Sequence, residues 1–229
     1  MFKQSTNELA QSYIEKFKAI KRAKKDRPLT DKEEEKLLTG EEVYFIYWTC
    51  ELMIAGLIED ISLPETIKII PKEVFYYKDP KARKNTIKPR HLLHDLEYTA
   101  DFEIEVSLRF LHLCCVHASL NELPKQYLFY NLLSDLTISI EVKPDKMTVR
   151  NQNTSDILFP VKQKMIYHLF GKFINKVKIP SLFKDTFTPQ QYLLDQIYKV
   201  NCKGGKKGTS KIKYKPVRNC DEWLDTLNK

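Results

Sequence analysis

The segment TISIEVK, residues Thr137–Lys143, alternates apolar and polar side chains along its whole length. Successive side chains of a β-strand point to opposite faces of a sheet, so this alternation predicts a strand with one face in the core. Three aliphatic side chains are expected on that face: Ile138, Ile140 and Val142. Glu141 and Lys143 then share the opposite face, which places an acid beside an ammonium group.

A second alternating segment, Tyr98–Val106, is expected to form a strand that pairs with the first in one sheet. Its apolar face carries Tyr98, Ala100, Phe102 and Ile104. Asp101 lies on the other face, so pairing would bring it to the same side as Glu141. Between the two strands, Leu108–Val116 is interpreted as a further strand and Leu123–Leu133 as a short helix.

Segments with helical spacing of apolar residues precede and follow this pair of strands in the sequence. Residues 4–25 predict an amphipathic helix with a basic end, and Thr39–Gly56 predicts a buried helix because it has almost no polar face. A longer helix is expected from Pro160, with one core face and one basic face. The apolar stripe of that helix comprises Val161, Met165, Leu169, Phe173 and Val177. The basic stripe comprises Lys164, His168, Lys172 and Lys176.

The remaining segments complete an α/β assignment. Ile58–Ile70 predicts extended chain, and residues 72–90 form a Lys/Arg-rich connection. Strands and helical segments in one chain predict an α/β protein.

Composition restricts the class of protein. The 229 residues suit one compact domain with appendages, and a hydrophobic content of 42% argues against wholesale disorder. A formal charge of +8 favours a polyanionic partner. The longest apolar run, Tyr44–Ile58, contains Glu51 and is too short to span a bilayer, and the first residues carry no signal-peptide core. A cytoplasmic protein with reduced thiols and no membrane partner is therefore expected.

The acids on the two strands suit metal-assisted hydrolysis. Cleavage of a phosphodiester needs a divalent ion to activate water, and Mg²⁺ prefers oxygen ligands such as carboxylates. Asp101 and Glu141 would supply two carboxylates from neighbouring strands, with Lys143 beside them.

In this order the residues resemble the PD-(D/E)xK nuclease superfamily, in particular a phage branch akin to the endonuclease-I-like Holliday-junction resolvases. The resemblance extends over about Leu38–Pro189. It is carried by the helix that opens Thr39-Gly40-Glu41-Glu42, by Tyr98-Thr99-Ala100-Asp101-Phe102, by Ile140-Glu141-Val142-Lys143 and by the helix with Lys162 and Lys164.

The resemblance implies a restriction-endonuclease-like fold, with a mixed central sheet flanked by helices. It also implies a Mg²⁺-dependent endonuclease that cleaves DNA, with Mn²⁺ able to replace Mg²⁺. Glu42, Asp101 and Glu141 would hold the metal, and Lys143 would orient water or stabilise the transition state. Branched DNA is the implied substrate, a homodimer the implied assembly, and the host cytoplasm the location if the protein is viral. Two alternatives stay open: a catalytically inactive nucleic-acid-binding or virion-associated structural protein with the same fold, and a transposon-end or restriction nuclease that acts beside a partner.

The same resemblance implies that the chain has three regions. Residues 1–37 become an N-terminal helical extension and 38–190 the nuclease core, with 107–136 as an insertion because Asp101 and Glu141 are far apart in sequence. Residues 191–229 become a basic C-terminal extension.

Several of these residues have simpler interpretations. Thr39 and Glu42 have the spacing of a helix capping box, which needs no metal. Gln163 and Tyr167 match a motif of RecB-type nucleases but lie at a common helical spacing. The run from His112 to His117 favours a buried strand over a zinc site, because alternation would separate its ligands.

The basic residues predict a nucleic-acid surface. Those on the predicted helix from Pro160 are Lys162, Lys164, His168 and Lys172. Those in the Gly-containing tail are Lys203, Lys206, Lys207, Lys211, Lys213 and Lys215, with Tyr214 among them. Clustered cations suit a phosphate backbone, and a tyrosine suits an unpaired base; a solvated tail is the alternative.

Overall fold

This computed structural model describes residues 5–78, 87–113, 136–143, 154–194 and 218–227. The helices are α1 (Thr6–Ala23), α2 (Asp31–Glu34), α3 (Gly40–Ile54), α4 (108–113), α5 (Thr154–Phe170), α6 (Ile179–Asp185), α7 (190–194) and α8 (Cys220–Leu227). The strands are β1 (Ile58–Ser62), β2 (Ile67–Ile70), β3 (Glu73–Lys78), β4 (Ile87–Leu93), β5 (Leu96–Tyr98), β6 (Phe102–Val106), β7 (Thr137–Lys143) and β8 (Ile174–Lys178).

The central sheet has the strand order β1-β6-β7-β8. Its first three strands pair antiparallel, whereas β8 runs parallel to β7 after the crossover through α5. Two smaller antiparallel pairs, β2 with β5 and β3 with β4, lie beside it. The predicted mixed sheet flanked by helices is confirmed, and Thr137–Lys143 forms a strand with the predicted bounds.

One face of the sheet packs against α3, which contacts β1 and β7. The capping box at Thr39 starts this helix, and Gly56, with a φ of 70°, follows its end in a conformation that favours glycine. The side chains of α3 are buried around most of its circumference, as its sequence predicted. α1 covers α3 through Ala10, Ile14 and Phe17, so the N-terminal helix belongs to the same core.

The C-terminal helix α8 also belongs to this core. Trp223 is 1% exposed and its ring lies 5.6 Å from that of Phe187, which in turn stacks on Trp48 at 5.8 Å. The guanidinium of Arg218 donates to the carbonyls of Asp185 and Thr186, so the chain entering α8 is fixed by hydrogen bonds.

The opposite face of the sheet is covered mainly by α5. Phe159 and Ile166 of this helix pack with Ile69, Tyr98 and Ile174 in a second, smaller hydrophobic cluster. Burial on both sides explains why the polar face of β7 is not solvated: Ser139 is 3% exposed and Glu141 is 7% exposed.

The single strand predicted over Tyr98–Val106 is wrong. The chain leaves β5 at Tyr98 and enters β6 at Phe102, because β5 pairs with β2 while β6 pairs with β1 and β7. Thr99, Ala100 and Asp101 connect β5 to β6. The strand predicted over Leu108–Val116 is also wrong for 108–113, which is helical; the Ser107 hydroxyl accepts from the Phe110 N–H, as at a helix start.

The helix expected from Pro160 to Val177 is wrong at both ends. α5 begins at Thr154, contains Pro160, and ends at Phe170 because Gly171 has a φ of 67°. Val177 therefore belongs to β8, and Val161 and Leu169 of the predicted core stripe are more than half exposed, at 53% and 54%. The Lys/Arg-rich connection over 72–90 is corrected as well, since it contains β3 and the start of β4.

Within the described ranges, no helix combines the length and the apolar character that crossing a membrane would require. Leu123–Leu133 and the tail residues Lys203–Lys215 lie outside the described residues.

Candidate active site

Glu141 and Lys143 come together near the end of β7. Both side chains point to the α5 side of the sheet because they are two residues apart on a strand. The ammonium Nζ of Lys143 lies 2.5 Å from Oε1 of Glu141, and the hydroxyl of Tyr98 donates to Oε2 of Glu141 over 2.5 Å. Both carboxylate oxygens are therefore held by protein donors.

Asp101 lies directly before β6 and opposite this part of β7. Its N–H donates to the Ile140 carbonyl over 3.0 Å, and its Oδ2 accepts from the Val142 N–H over 2.7 Å. Two hydrogen bonds therefore fix Asp101 against the Glu-Val-Lys segment. The predicted pairing with β7 is confirmed for Phe102–Val106, and Asp101 lies close enough to Glu141 for their charges to interact.

The electrostatics of Asp101 reflect this crowding of acids. Burial, and then the negative charges of Glu141 and Glu42, raise its pKa to about 7 against the opposing effects of the Val142 N–H and Lys143. The contribution of Glu42 shows that the first turn of α3 lies within electrostatic range of Asp101. The negative charges of Glu141 and Glu42 thus both act on Asp101.

Glu42 forms the capping box that its spacing predicted. Its Oε2 accepts from the Thr39 N–H over 2.5 Å, its own N–H donates to the Thr39 hydroxyl, and its Oε1 lies 2.7 Å from Nζ of Lys21. Glu42 is only 6% exposed, so the ion pair with Lys21 offsets the cost of burying its charge. Glu42 therefore caps α3, forms an ion pair with Lys21 of α1, and acts through its charge on Asp101.

An aromatic wall closes the site on the α5 side. Nζ of Lys143 lies 5.9 Å from the centroid of the Phe159 ring, and Nζ of Lys176 lies 5.7 Å from the same ring. Burial, together with the charge of Glu141, raises the pKa of Tyr98, so its phenol keeps the proton that it donates to Glu141.

Lys176 is a site residue that the sequence did not reveal in this role. In the parallel pairing of β7 with β8 it lies directly opposite Glu141. Its sequence placed it on the basic face of a helix, and only the strand assignment of Ile174–Lys178 would have brought it to the acids.

A small pocket of about 230 Å³ leads to Asp101. Its lining comprises Lys21 and Lys24 of α1, Leu63 and Pro64 after β1, and Thr99, Ala100 and Asp101. A ligand that reaches Asp101 by this route passes two lysines.

The donor chemistry of the site fits a hard divalent cation. Carboxylate oxygens from Asp101 and Glu141 are the ligands that Mg²⁺ prefers, and Mg²⁺ commonly binds one or two carboxylates and keeps several waters. Among the described residues, no three His, Cys, Asp or Glu side chains lie close enough together to bind one metal ion. Glu42 and Glu141 each use both oxygens in hydrogen bonds or ion pairs, so binding at Glu141 would require Lys143 to move from Oε1.

The basic residues that were predicted to form a nucleic-acid surface differ in their positions and partners. Lys164 and His168 are exposed on α5, whereas Nζ of Lys162 donates to the Glu97 carbonyl over 3.1 Å. Lys172 follows α5 and pairs with Glu103 at 2.5 Å, so it is not part of a helical stripe. Lys203, Lys206, Lys207, Lys211, Lys213 and Lys215 lie outside the described residues.

The remaining candidates have structural roles or lie elsewhere. The amide of Gln163 donates to the Ile174 carbonyl over 2.6 Å and thereby joins α5 to β8, while Tyr167 is half exposed. His112 is on α4, and the four residues after Leu113 in that run lie outside the described ranges. Cys220 is a buried free thiol.

Comparisons with protein-family models, with curated protein sequences and with solved structures find no match for this chain.

Proposed function

We propose that the protein is a metal-dependent endonuclease that hydrolyses DNA phosphodiester bonds. One observation carries the proposal: Asp101, which accepts a hydrogen bond from the Val142 N–H, lies against the strand that presents Glu141 and Lys143. Burial and then the charge of Glu141 raise the pKa of Asp101. Buried acids that perturb each other beside a lysine are typical of sites that bind cations and phosphates.

The order of elements supports the same reading. A helix with Glu42, a strand preceded by Asp101, a strand with Glu141 and Lys143, and a helix with Lys162 and Lys164 follow one another as in the PD-(D/E)xK resemblance. The long chain segment between β6 and β7 corresponds to the proposed insertion at 107–136. It leaves the antiparallel pairing of these strands intact.

In this proposal the residues of the candidate site have separate roles. A divalent ion held by Asp101 and Glu141 would supply a Lewis acid for the phosphate and an activated water. Tyr98 holds its proton on the phenol oxygen and orients Glu141 by donating to Oε2. Lys143, whose side chain is 15% exposed, donates from Nζ to a phosphate oxygen or to the attacking water once it leaves Oε1 of Glu141.

The test is incubation of the purified chain with supercoiled plasmid, linear duplex, single strand and a synthetic four-way junction, with Mg²⁺, with Mn²⁺ and with chelator. We expect cleavage that depends on the metal and leaves 5′-phosphate ends, with the junction preferred as the resemblance implies. A junction requires two cuts, so the active species is proposed to be a homodimer, which sedimentation would detect. Absence of cleavage on every substrate with either metal would overturn the proposal.

The second candidate is a nucleic-acid-binding protein without catalysis. It is favoured by the engagement of both oxygens of Glu42 and Glu141 with protein donors, which leaves the acids neutralised by lysines. DNA binding that persists while Mg²⁺ and Mn²⁺ produce no cleavage would support this candidate instead.

A further inference from the structure

A second pocket, here called the α1–α2 pocket, has a volume of about 430 Å³ and is strongly basic. Its lining comprises Lys21, Lys24, Lys25, Arg27, Leu29, Glu33, Lys36 and Leu37. Five cationic side chains therefore surround a concave space that contains one acidic residue.

Ion pairs within the protein neutralise only part of this charge. Arg27 pairs with Glu33 at 2.5 Å, and Lys21 pairs with Glu42. Among the described residues, the side chains of Lys24, Lys25 and Lys36 form no ion pair with a carboxylate. The mutual repulsion of these ammonium groups has no compensation inside the pocket, so an anion placed there would be stabilised.

The dipole of α1 accounts for some of these residues but not for the set. Cations near the C-terminus of a helix interact favourably with its carbonyl groups, which suits Lys21 and Lys24. Lys25 and Arg27 lie beyond α1, and Lys36 comes from the turn after α2. Three separate segments thus converge their cations on one space.

The α1–α2 pocket and the pocket that leads to Asp101 have part of their lining in common. Lys21 and Lys24 line both pockets, so the two spaces share one wall on α1. Lys21 also pairs with Glu42, which acts electrostatically on Asp101. A polyanion bound by Lys25 and Lys36 would extend past Lys24 to Asp101.

We propose, on the basis of the nuclease function proposed above, that the α1–α2 pocket binds backbone phosphates of a DNA strand and directs that strand to Asp101. The contacts are charge contacts to phosphates, so the pocket contributes affinity without sequence preference. The proposed phosphate contacts lie at the end of α1 and in the turns after α1 and α2, whereas the sequence pointed to the helix from Pro160 and the tail.

The test compares two double variants that each remove two positive charges. Lys25→Ala/Lys36→Ala alters the pocket, and Lys16→Ala/Lys184→Ala removes two exposed lysines that do not line it. Affinity for a labelled duplex is measured with chelator present, over a series of salt concentrations, so that cleavage does not interfere. Circular dichroism of both variants verifies that they are folded.

We expect the pocket variant to bind at least about tenfold more weakly near ~0.1 M salt, and its salt slope to fall by about two, since each lost phosphate contact lowers the slope by ~0.9. The control variant should stay within about threefold of the original chain. Equal affinities and slopes for the two variants would overturn the proposal, as would binding to anionic lipid vesicles in preference to DNA.

The nuclease proposal and the pocket proposal fail in different ways. If the original chain cleaves nothing but the pocket variant loses affinity, the pocket assignment stands without the enzyme. If the original chain cleaves DNA and the pocket variant keeps its affinity and its KM, the enzyme stands and the pocket assignment is wrong.

Discussion

Asp101 and Glu51 are both partly buried acids whose pKa is raised to about 7, yet their surroundings differ in kind. Asp101 feels the negative charge of Glu42 in the first turn of α3, whereas Glu51 belongs to the last turn of the same helix, roughly 13 Å further along its axis. The charges of Glu141 and Lys143 also act on Asp101. Glu51 accepts a hydrogen bond from the Gln190 N–H and feels the charge of Asp221.

The larger space lies beside Glu51. A pocket of about 750 Å³ is bounded there by α3, α7 and α8, and Arg109 on its wall donates to the Ala55 carbonyl. The proposed site near Asp101 is therefore argued neither from the size of a pocket nor from one raised pKa. The informative feature near Asp101 is convergence of opposite charges from α1, α3, β6 and β7, which the fold maintains despite the cost of burial.

The sharpest test of this comparison removes the charge of each acid without changing its shape. Asp101→Asn or Glu141→Gln should reduce metal-dependent cleavage by about 100-fold or more, because one electrostatic contact at a transition state is typically worth that much. Glu105→Gln, which alters an exposed side chain of β6, is the matched control and should retain activity.

DNA affinity measured without metal provides a second test, because loss of an acid and loss of a lysine should change it in opposite directions. A carboxylate repels a phosphate, so Asp101→Asn should bind DNA equally or more tightly in chelator. Lys143→Ala should lose cleavage as well but bind equally or more weakly, because it removes a cation. Full activity in the Asp101 and Glu141 variants would place the chemistry elsewhere.

A smaller effect is expected from the phenol that orients Glu141. Tyr98→Phe removes the hydrogen bond to Oε2, and hydrogen bonds to charged groups contribute about 1.5–3 kcal/mol. We expect kcat to fall by about tenfold or more, with little change in KM. Tyr167→Phe, which alters a half-exposed tyrosine on α5, is the control. An unchanged kcat in Tyr98→Phe would show that Lys143 alone suffices to position Glu141.

The sequence predicted the strand that carries Glu141 and Lys143 better than it predicted the boundaries of the neighbouring elements. Alternation identified β7 and the shared side of Asp101 and Glu141, because burial imposes a period of two on a strand. It could not show that Tyr98 and Phe102 belong to different sheets, since both pairings preserve the same alternation. Lys176 was missed because its apolar neighbours fit a helical stripe as well as a strand, and Gly171 decides between them.

The smallest predicted effect concerns Glu51 and separates the two ends of α3. Burial raises its pKa to about 7 from an ordinary 4.5, so the folded protein holds this proton more tightly than the unfolded chain. The side chain therefore penalises folding least below pH ~4.5, and its contribution to stability declines as pH rises through ~7. Partial solvent access reduces the effect, so Glu51→Gln should raise the free energy of unfolding at pH 8 by about 1–2 kcal/mol and change it little at pH 5. Urea unfolding at the two pH values measures this difference, and cleavage should be unaffected at both. Loss of cleavage in Glu51→Gln would mean that the space beside α7 and α8 takes part in the reaction, and the contrast between the two acids would no longer hold.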